Sequence, residues 1–509
     1  MSYLANTLFR AAQVAPDHAS LICGARRFTW VQTLDRVQRT ARGLLEAGAR
    51  AGDRIAVLSA PCAEYVELTY AAAWAGLTLA PINTRLAAAE LSILLEEAAP
   101  AVILGDATGV AAAAEAGFDH GVVFGGADHA SMLAGAALCD PALPDREADW
   151  AIIYTGGTTG RPKGVRLSHR AIAHDVNSIL VDMNWGRAPI FLQTTPLFHL
   201  AGLGPSYAVT AMAGTQVIMP AFTVEAWFEA MERERCTATA LVPTMVNRIL
   251  SHPLIETCDL SRWRHMGYGA SPIPASVLER LIAKFPTLQL NQFYGQTEAC
   301  GGLATLTPMD HQLGSTRLAS AGRPIFNTAL RIVDPDTLAP AAQGDAGEIQ
   351  ARTDGLFSGY LNNDALTAET VTEDGWLRTG DIGRLDRDGY LFVVDRVKDM
   401  IVTGGENVSS SEVESALLAH PGVADAAVIG VPDADWGERI HAVVIPNPGE
   451  RLDEASLKAA CRSRIAGYKC PKSFTVRTEP LPLSAMGKIR KDLLRADILD
   501  RDALEAGHG

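Results

Sequence analysis

The stretch RIAVLSAPCAEYVELTYAAAWAGLTLAPI, residues 54–82, decides the architecture. An apolar run from Ile55 to Leu58 leads into a helical stretch from Glu64 to Trp74, and a second run, Thr78 to Ile82, follows. Short apolar runs bounded by turn residues read as strands buried on both faces, and the longer stretch as the helix that crosses between them. Outward from there, Ala88 to Ala98 predicts another helix and Ala101 to Leu104 another strand. This β-α-β-α-β alternation implies the α/β class, a parallel sheet covered by helices on both faces. Upstream, Phe28 to Leu45 sets Phe28, Val31, Leu34, Val37, Ala41 and Leu44 on one helical stripe, with Thr29 as the cap.

Downstream the texture changes twice. Residues 108–148 read as one helix and one strand followed by a loop ending at Pro141 and Pro144. Between Leu330 and Tyr390 the turns Asp334-Pro335, Gly344-Asp345, Asp354-Gly355, Asp374-Gly375 and Asp388-Gly389 argue for antiparallel strands in a small barrel-like subdomain. After Arg396 a helix is predicted from Ser411 to Ala419 and a strand from Ala424 to Ile429, then a second helix and strand. The expected organisation is a large N-terminal domain, residues 1–396, of stacked α/β subdomains plus the β-rich one, and a small α+β C-terminal domain, residues 397–509.

Composition narrows the function classes. With 509 residues and 48% hydrophobic content, the chain has material for a sizeable core. Lysine and arginine total 44 against 58 acids, a net charge of −14, so the overall field repels nucleic acid and anionic membranes, and any phosphate ligand must be held locally. The eight cysteines form no C-x-x-C pair, and reduced thiols without disulfide or zinc are expected. The N-terminus, MSYLANTLFRAAQ, lacks a signal-peptide layout, and no uninterrupted apolar stretch is long enough to span a bilayer, so a cytoplasmic location is expected. A homodimer is left open.

The segment YTGGTTGRPKG, residues 154–164, follows an apolar run from Trp150 to Tyr154 and precedes a helical pattern beginning near Ser168. Threonine hydroxyls, glycine N–H groups and one lysine are the inventory that cradles a polyphosphate. A Walker A loop would need Ser or Thr after the lysine, and here Gly164 follows Lys163. Read alone, the segment could equally be a glycine-rich surface turn.

The string resembles the phosphate-binding signature of the adenylate-forming enzymes, the superfamily of acyl- and aryl-CoA synthetases, peptide-synthetase adenylation domains and firefly luciferase. Tyr294-Gly-Gln-Thr-Glu298 resembles that family's Tyr-Gly-x-Thr-Glu motif, Thr379-Gly-Asp381 its ribose-binding aspartate, and Asp395-Arg396 with Lys398 its hinge turn. Gly404-Gly405-Glu406-Asn407 is similar to the glycine loop of thioester formation, and Pro482 to Arg490, containing Gly487-Lys488, to the catalytic-lysine motif. Pro196-Leu-Phe-His199 is similar to the aromatic segment beside the acyl pocket, and Gly267-Tyr-Gly-Ala-Ser271 to the loop against adenine. The matches are collinear from 154 to 488 and cover essentially the whole chain.

The resemblance implies an ATP-dependent acyl-CoA synthetase with ATP, Mg²⁺ and coenzyme A as cofactors or co-substrates. Attack of a carboxylate on the α-phosphate brings two anions together, so the site needs fixed cations and donors. In the implied roles Glu298 anchors the metal, Thr297 contacts phosphate and His199 lies beside the acid. Lys488 bridges the carboxylate and phosphate oxygens. Thr155, Gly156, Gly157, Thr158, Thr159, Gly160 and Lys163 hold the departing pyrophosphate. Gly269, Ala270, Ser271, Tyr294 and Gly295 face the nucleotide, and Asp381 and Arg396 the ribose. Lys398 is the hinge, Gly404 and Gly405 line a pantetheine channel, and Lys469 and Lys472, with Trp436 as a stacking surface, contact CoA. Lysines in a loop are otherwise simply solvated.

Two departures stand out. Gly156 replaces the usual Ser or Thr of the phosphate loop, which predicts weaker ATP affinity, and Ala485-Met486 replaces polar residues beside Lys488. His199 is followed by Leu-Ala-Gly-Leu-Gly without the aspartate that would pair an amino-acid ammonium, so an uncharged acyl or aryl group is favoured. The small side chains of Ala299 to Ala304 leave room for a tail, which makes a medium- or long-chain fatty acid the first expectation, with aryl acids and short dicarboxylates open. An enzyme loading a carrier protein is the alternative, and a silent nucleotide-binding protein is disfavoured because Glu298, Asp381, Arg396 and Lys488 are all present. His169 and His174 are expected to be packing histidines on different helix faces, Trp185 and Trp227 packing residues, and Glu232 to Arg235 a solvated face.

Overall fold

The computed structural model describes residues 3–155, 162–335, 337–404, 406–433, 436–483 and 489–506. By contact the chain divides into two units, Met1–Leu330 with Ala351–Leu377, and Arg331–Gln350 with Arg378–Gly509. The first unit contains two large sheets. One has seven strands in the order Gly359–Tyr360, Lys163–Ser168, Asp149–Thr155, Thr78–Pro81, Arg54–Leu58, Val102–Gly105 and Gly121–Val123. Its five-strand body from Asp149–Thr155 to Gly121–Val123 is parallel, as the 54–105 pattern predicts. The other has nine strands, and its parallel centre runs through Thr215–Ile218, Ile190–Gln193, Ala238–Leu241, His265–Gly269 and Gln289–Gln296.

The helix predicted upstream spans Trp30–Glu46, and Thr29 caps it by accepting from Gln32 N, with Gln32 returning the bond to the Thr29 N–H. Its buried stripe is Trp30, Thr33, Val37, Thr40, Ala41 and Leu44. Two predicted members fall elsewhere: Phe28 ends up on the preceding strand Arg26–Thr29, and Val31 is exposed. The start at Trp30 agrees with the expected Thr29 cap, and Trp30, two turns before Val37, shares the buried face while Val31 lies about 100° away from it. Trp30, Trp74, Trp150, Tyr65, Tyr70 and Tyr207 belong to the same core, with Tyr207 edge-on to Trp150 and Tyr70. Residues 108–148 hold a second helix, Ala127–Ala134, beyond the one expected, because alanine-rich sequence gives no clear period.

Glu234 is buried and paired with Arg27 and Arg233, so the Glu232 to Arg235 run is solvated only in part. Trp185 stacks on Phe191, and Trp227 is fully buried. His169 and His174 are both buried, and His174 Nε2 lies 2.9 Å from Thr353 Oγ1. Among the described residues no His, Cys, Asp and Glu cluster could hold a metal on its own, no disulfide occurs, and no helix is long and apolar enough to cross a membrane.

The second unit carries most of a four-stranded sheet in the order Thr328–Val333, Gly347–Thr353, Leu377–Leu385 and Leu391–Arg396, the form taken by the expected β-rich region. It also holds a five-stranded sheet built on Val423–Asp433 paired antiparallel with Gly437–Pro446. Within that sheet His441 is buried, with Nδ1 2.7 Å from Ser473 Oγ and Nε2 3.1 Å from Thr475 Oγ1. Burial, and secondarily Arg439, pushes its imidazole down to about 4. A folded-state value below the unfolded one means the neutral ring is favoured by the fold, so this contribution is complete above about 6.5 and lost as pH falls toward 4. The size is about 3 kcal/mol. Urea melts of the full chain are expected to lose stability across that window, and His441→Gln to flatten part of the loss. An unchanged pH slope in the variant would show that the ring is not its source.

Candidate active site

Parallel strands of an open α/β sheet present their carboxyl ends to ligands, because the loops leaving that edge can converge. Three of the predicted segments leave the nine-stranded sheet there. Ile190–Gln193 runs into Thr194 and the Pro196 to His199 segment, where His199 is the N-cap of the helix Leu200–Ala211 and its ring lies 4.5 Å from that of Phe198. Thr195 Oγ1 donates to Ala201 O, and Gly202 is needed because a Cβ would fall 2.2 Å from Pro196 O. His265–Gly269 runs into Ala270 and Ser271, with Ala270 in the left-handed region at φ +69°. Gly269 pairs in register with Phe293 and a Cβ would meet Phe293 O at 2.4 Å, which draws this loop against Tyr294 and Gly295.

After Gly295 the chain turns through a single 3₁₀ turn, Thr297–Ala299, reversing at Cys300 with φ +51° and returning as Gly301–Leu306. The reversal leaves Thr297 and Glu298 half-buried, and Glu298 O accepts from Phe357 N. Tyr360 Oη donates to Glu298 Oε1 at 2.7 Å, fixing that carboxylate from one side and leaving Oε2 for a cation. The Lys163 ammonium lies 5.3 Å from the centre of the Tyr360 ring. Lys163 in turn pairs with Thr155 across the antiparallel strands Asp149–Thr155 and Lys163–Ser168. Lysine, tyrosine and glutamate from three distant parts of the chain thus stand together. A single hard carboxylate oxygen suits Mg²⁺, which takes few protein ligands and completes its shell with water and phosphate oxygens.

In the second unit Asp381 and Arg396 face each other across the antiparallel pair Leu377–Leu385 and Leu391–Arg396, with Nε to Oδ1 3.4 Å. Thr379 Oγ1 accepts from Asp381 N and donates to Ile349 O, so the aspartate's backbone is held in place. Lys398 is exposed in the turn Val397–Asp399. Gly404, at φ +61°, donates its N–H to Trp436 O at 2.8 Å, and a Cβ there would lie 3.0 Å from the indole. The Lys472 ammonium sits 4.3 Å from the centre of the same indole, a cation–π contact. Lys469, by contrast, is held by both carboxylate oxygens of Glu412 at 2.8 Å.

Gly156, Gly157, Thr158, Thr159 and Gly160 of the phosphate loop, Gly405 and Lys488 lie outside the described residues. Tyr360 is the side chain of this cluster that sequence reasoning missed. It stands at the edge strand Gly359–Tyr360 next to Lys163–Ser168, and its only local signal is a Gly-Tyr pair.

A family model for AMP-binding enzymes matches residues 8–361, and one for the C-terminal domain of AMP-binding enzymes matches residues 412–488. A feruloyl-CoA synthase of an Amycolatopsis species is 38% identical over 490 residues, covering 96% of this chain and 97% of that protein. The long-chain-fatty-acid CoA ligase FadD13 of Mycobacterium tuberculosis is 34% identical over 477 residues, covering 92% and 93%. Among solved structures, ATP-bound MatB from Rhodopseudomonas palustris superposes with a TM-score of 0.88 at 28% identity, covering 97% of this chain and 98% of that one. The fold, the collinear motifs and the extent of these matches place the chain in the family of AMP-binding, adenylate-forming enzymes.

Proposed function

We propose that this chain is an AMP-forming acid–CoA ligase that activates an aryl acid. The observation that carries the reading is the Glu298 carboxylate, oriented by Tyr360 beside Lys163, a pairing of one anion for a cation and one cation for pyrophosphate. The likeness to a feruloyl-CoA synthase supports an aryl acid, and the likeness to a fatty-acid CoA ligase keeps the fatty acid as the second reading.

In the first half-reaction the substrate carboxylate attacks the α-phosphorus, a bond from carboxylate oxygen to phosphorus forms, and the bond to the pyrophosphate oxygen breaks. Lys163 and the Thr158 and Thr159 hydroxyls hold the departing pyrophosphate, and Lys488 bridges the two reacting anions. Glu298 would hold magnesium, which when bound would neutralise phosphate charge. Asp381 accepts from the ribose hydroxyls, with Arg396 keeping the carboxylate in place. In the second half-reaction the CoA thiol attacks the acyl carbon and AMP leaves. Gly404 lets the backbone pack flat on Trp436, and Trp436 with Lys472 offers a flat, cationic surface for CoA's adenine and phosphates. Glu412 offsets the charge of Lys469, so Lys472 is the stronger phosphate contact of the two. Lys398 is retained as the hinge between residues 1–396 and 397–509.

The test is acid-dependent pyrophosphate release from Mg-ATP over fatty, aryl and amino acids, each with and without CoA. Release with an aryl acid, and acyl-CoA plus AMP only when CoA is present, is the expected result. Acyl-adenylate with no CoA product would move the acceptor to a carrier protein, and release with fatty acids alone would overturn the aryl reading.

A further inference from the structure

Glu298 takes its bonds from a later segment of the first unit, residues 353–361. Phe357 N donates to Glu298 O at 2.8 Å, and Tyr360 Oη donates to its carboxylate at 2.7 Å. At Gly355 the same segment runs so close to the Thr297–Ala299 turn that a Cβ would fall 2.5 Å from Ala299 O. Where the Glu298 carboxylate points therefore depends on where this segment lies.

Both ends of the segment are held by one short stretch of chain, Lys163 to Arg170. At the far end Ser358 N donates to Arg166 O at 2.8 Å and Leu361 N to Gly164 O at 2.7 Å, and the strand Gly359–Tyr360 pairs with Arg166 and Val165. Those bonds are between backbones. At the near end the holders are side chains: Asn327 Nδ2 donates to the Asp354 carboxylate at 2.7 Å, and Arg170, the second residue of the helix His169–Asp182, reaches the main chain itself. Its Nη1 donates to Asp354 O and its Nη2 to Leu356 O at 3.3 Å, while Nε is held by both carboxylate oxygens of Glu147 at 2.9 and 3.0 Å. A guanidinium has the rigid fork of donors that can serve two carbonyls and a carboxylate at once, which an ammonium on a flexible stem cannot match. Glu147 is exposed, and an exposed ion pair adds little to stability, so what the fork contributes is its grip on the two carbonyls. The stretch that supplies Lys163 thus also sets the segment that orients Glu298, and the two charges of the site are placed by one piece of chain.

We propose, on the ligase reading in which Glu298 would hold magnesium, that Arg170 is a positioning residue for that carboxylate, acting through Asp354 O and Leu356 O on Phe357 and Tyr360. The test is calorimetric titration of ATP in the absence of acid, with and without Mg²⁺, beside magnesium titrations of pyrophosphate release. In the parent Mg²⁺ is expected to tighten ATP binding. Arg170→Met keeps the apolar stem and removes the donors, and it is expected to cut that tightening about threefold to tenfold, to raise the magnesium midpoint of release by a similar factor and to lower kcat about tenfold, with KM for the acid within about twofold of the parent. Arg170→Lys is expected to fall between parent and methionine variant, and it carries the test if the latter does not fold. Glu147→Gln leaves both carbonyl bonds in place and is expected to stay within about twofold in every readout. In a Glu298→Gln background Arg170→Met is expected to move the magnesium dependence of ATP binding no further, because the carboxylate it positions is gone. An undiminished extra loss in that background, or an unchanged magnesium dependence in the Arg170 variants, with pyrophosphate still released by the parent, would overturn the role of Arg170 and leave the ligase reading standing. Absence of release with every acid would overturn the ligase reading, and the ATP titrations would then still decide the role of Arg170.

Discussion

Lys488→Ala is expected to lower acid-dependent pyrophosphate release by at least about a hundredfold, the usual consequence of removing a charge aimed at a transition state. Transfer to CoA from supplied acyl-adenylate is expected to stay within about threefold of the parent, because that step brings no second anion toward phosphorus. In the proposed arrangement the ammonium acts when carboxylate and phosphate oxygens approach each other. The split between half-reactions also tests the hinge at Lys398. Equal loss of both would mean that Lys488 serves thioester formation as well, and the proposed exchange of C-terminal faces between steps would fall.

Glu298→Gln is the second large effect. The amide keeps the shape and can still accept from Tyr360 Oη, so the change removes charge and little else. A drop in kcat of about a hundredfold and a several-fold rise in the Mg²⁺ concentration for half-maximal rate are expected, since magnesium binds oxygen ligands chiefly through charge. Tyr360→Phe keeps the charge and loses only its orientation, so its effect should be about tenfold or less. Magnesium titrations of pyrophosphate release distinguish the two. If neither variant moves the magnesium midpoint, Glu298 is not the metal anchor.

The local elements were readable because each announces itself within a few residues. Strands Arg54–Leu58 and Thr78–Pro81 and the helices between and after them follow apolar runs and periodicity, and the Thr29 cap follows from residue type. Motif residues such as Glu298 and Asp381 could be named because chemistry restricts what can stand there. Tyr360 and Asp175 could not. A tyrosine 62 residues beyond Glu298 has no spacing rule linking the two. An aspartate in a polar stretch of helix looks like a solvated one until the helix is packed and Gly204 and Gly301 close on it. Neither side chain's placement is local, and each is created by tertiary packing.

The nine-stranded sheet has a consequence for how the chain is made. Its strand Ala19–Cys23 pairs in parallel with Thr215–Ile218, so its partner is synthesised roughly two hundred residues later. At ribosomal speeds of about 5–20 residues per second, that is a wait on the order of 10–40 s for an apolar segment with an unfilled edge. Nascent chains are therefore expected to need chaperone cover over this interval. Recombinant fragments that begin after residue 30 would lack both this strand and Trp30, and should accumulate as aggregates rather than as a smaller enzyme.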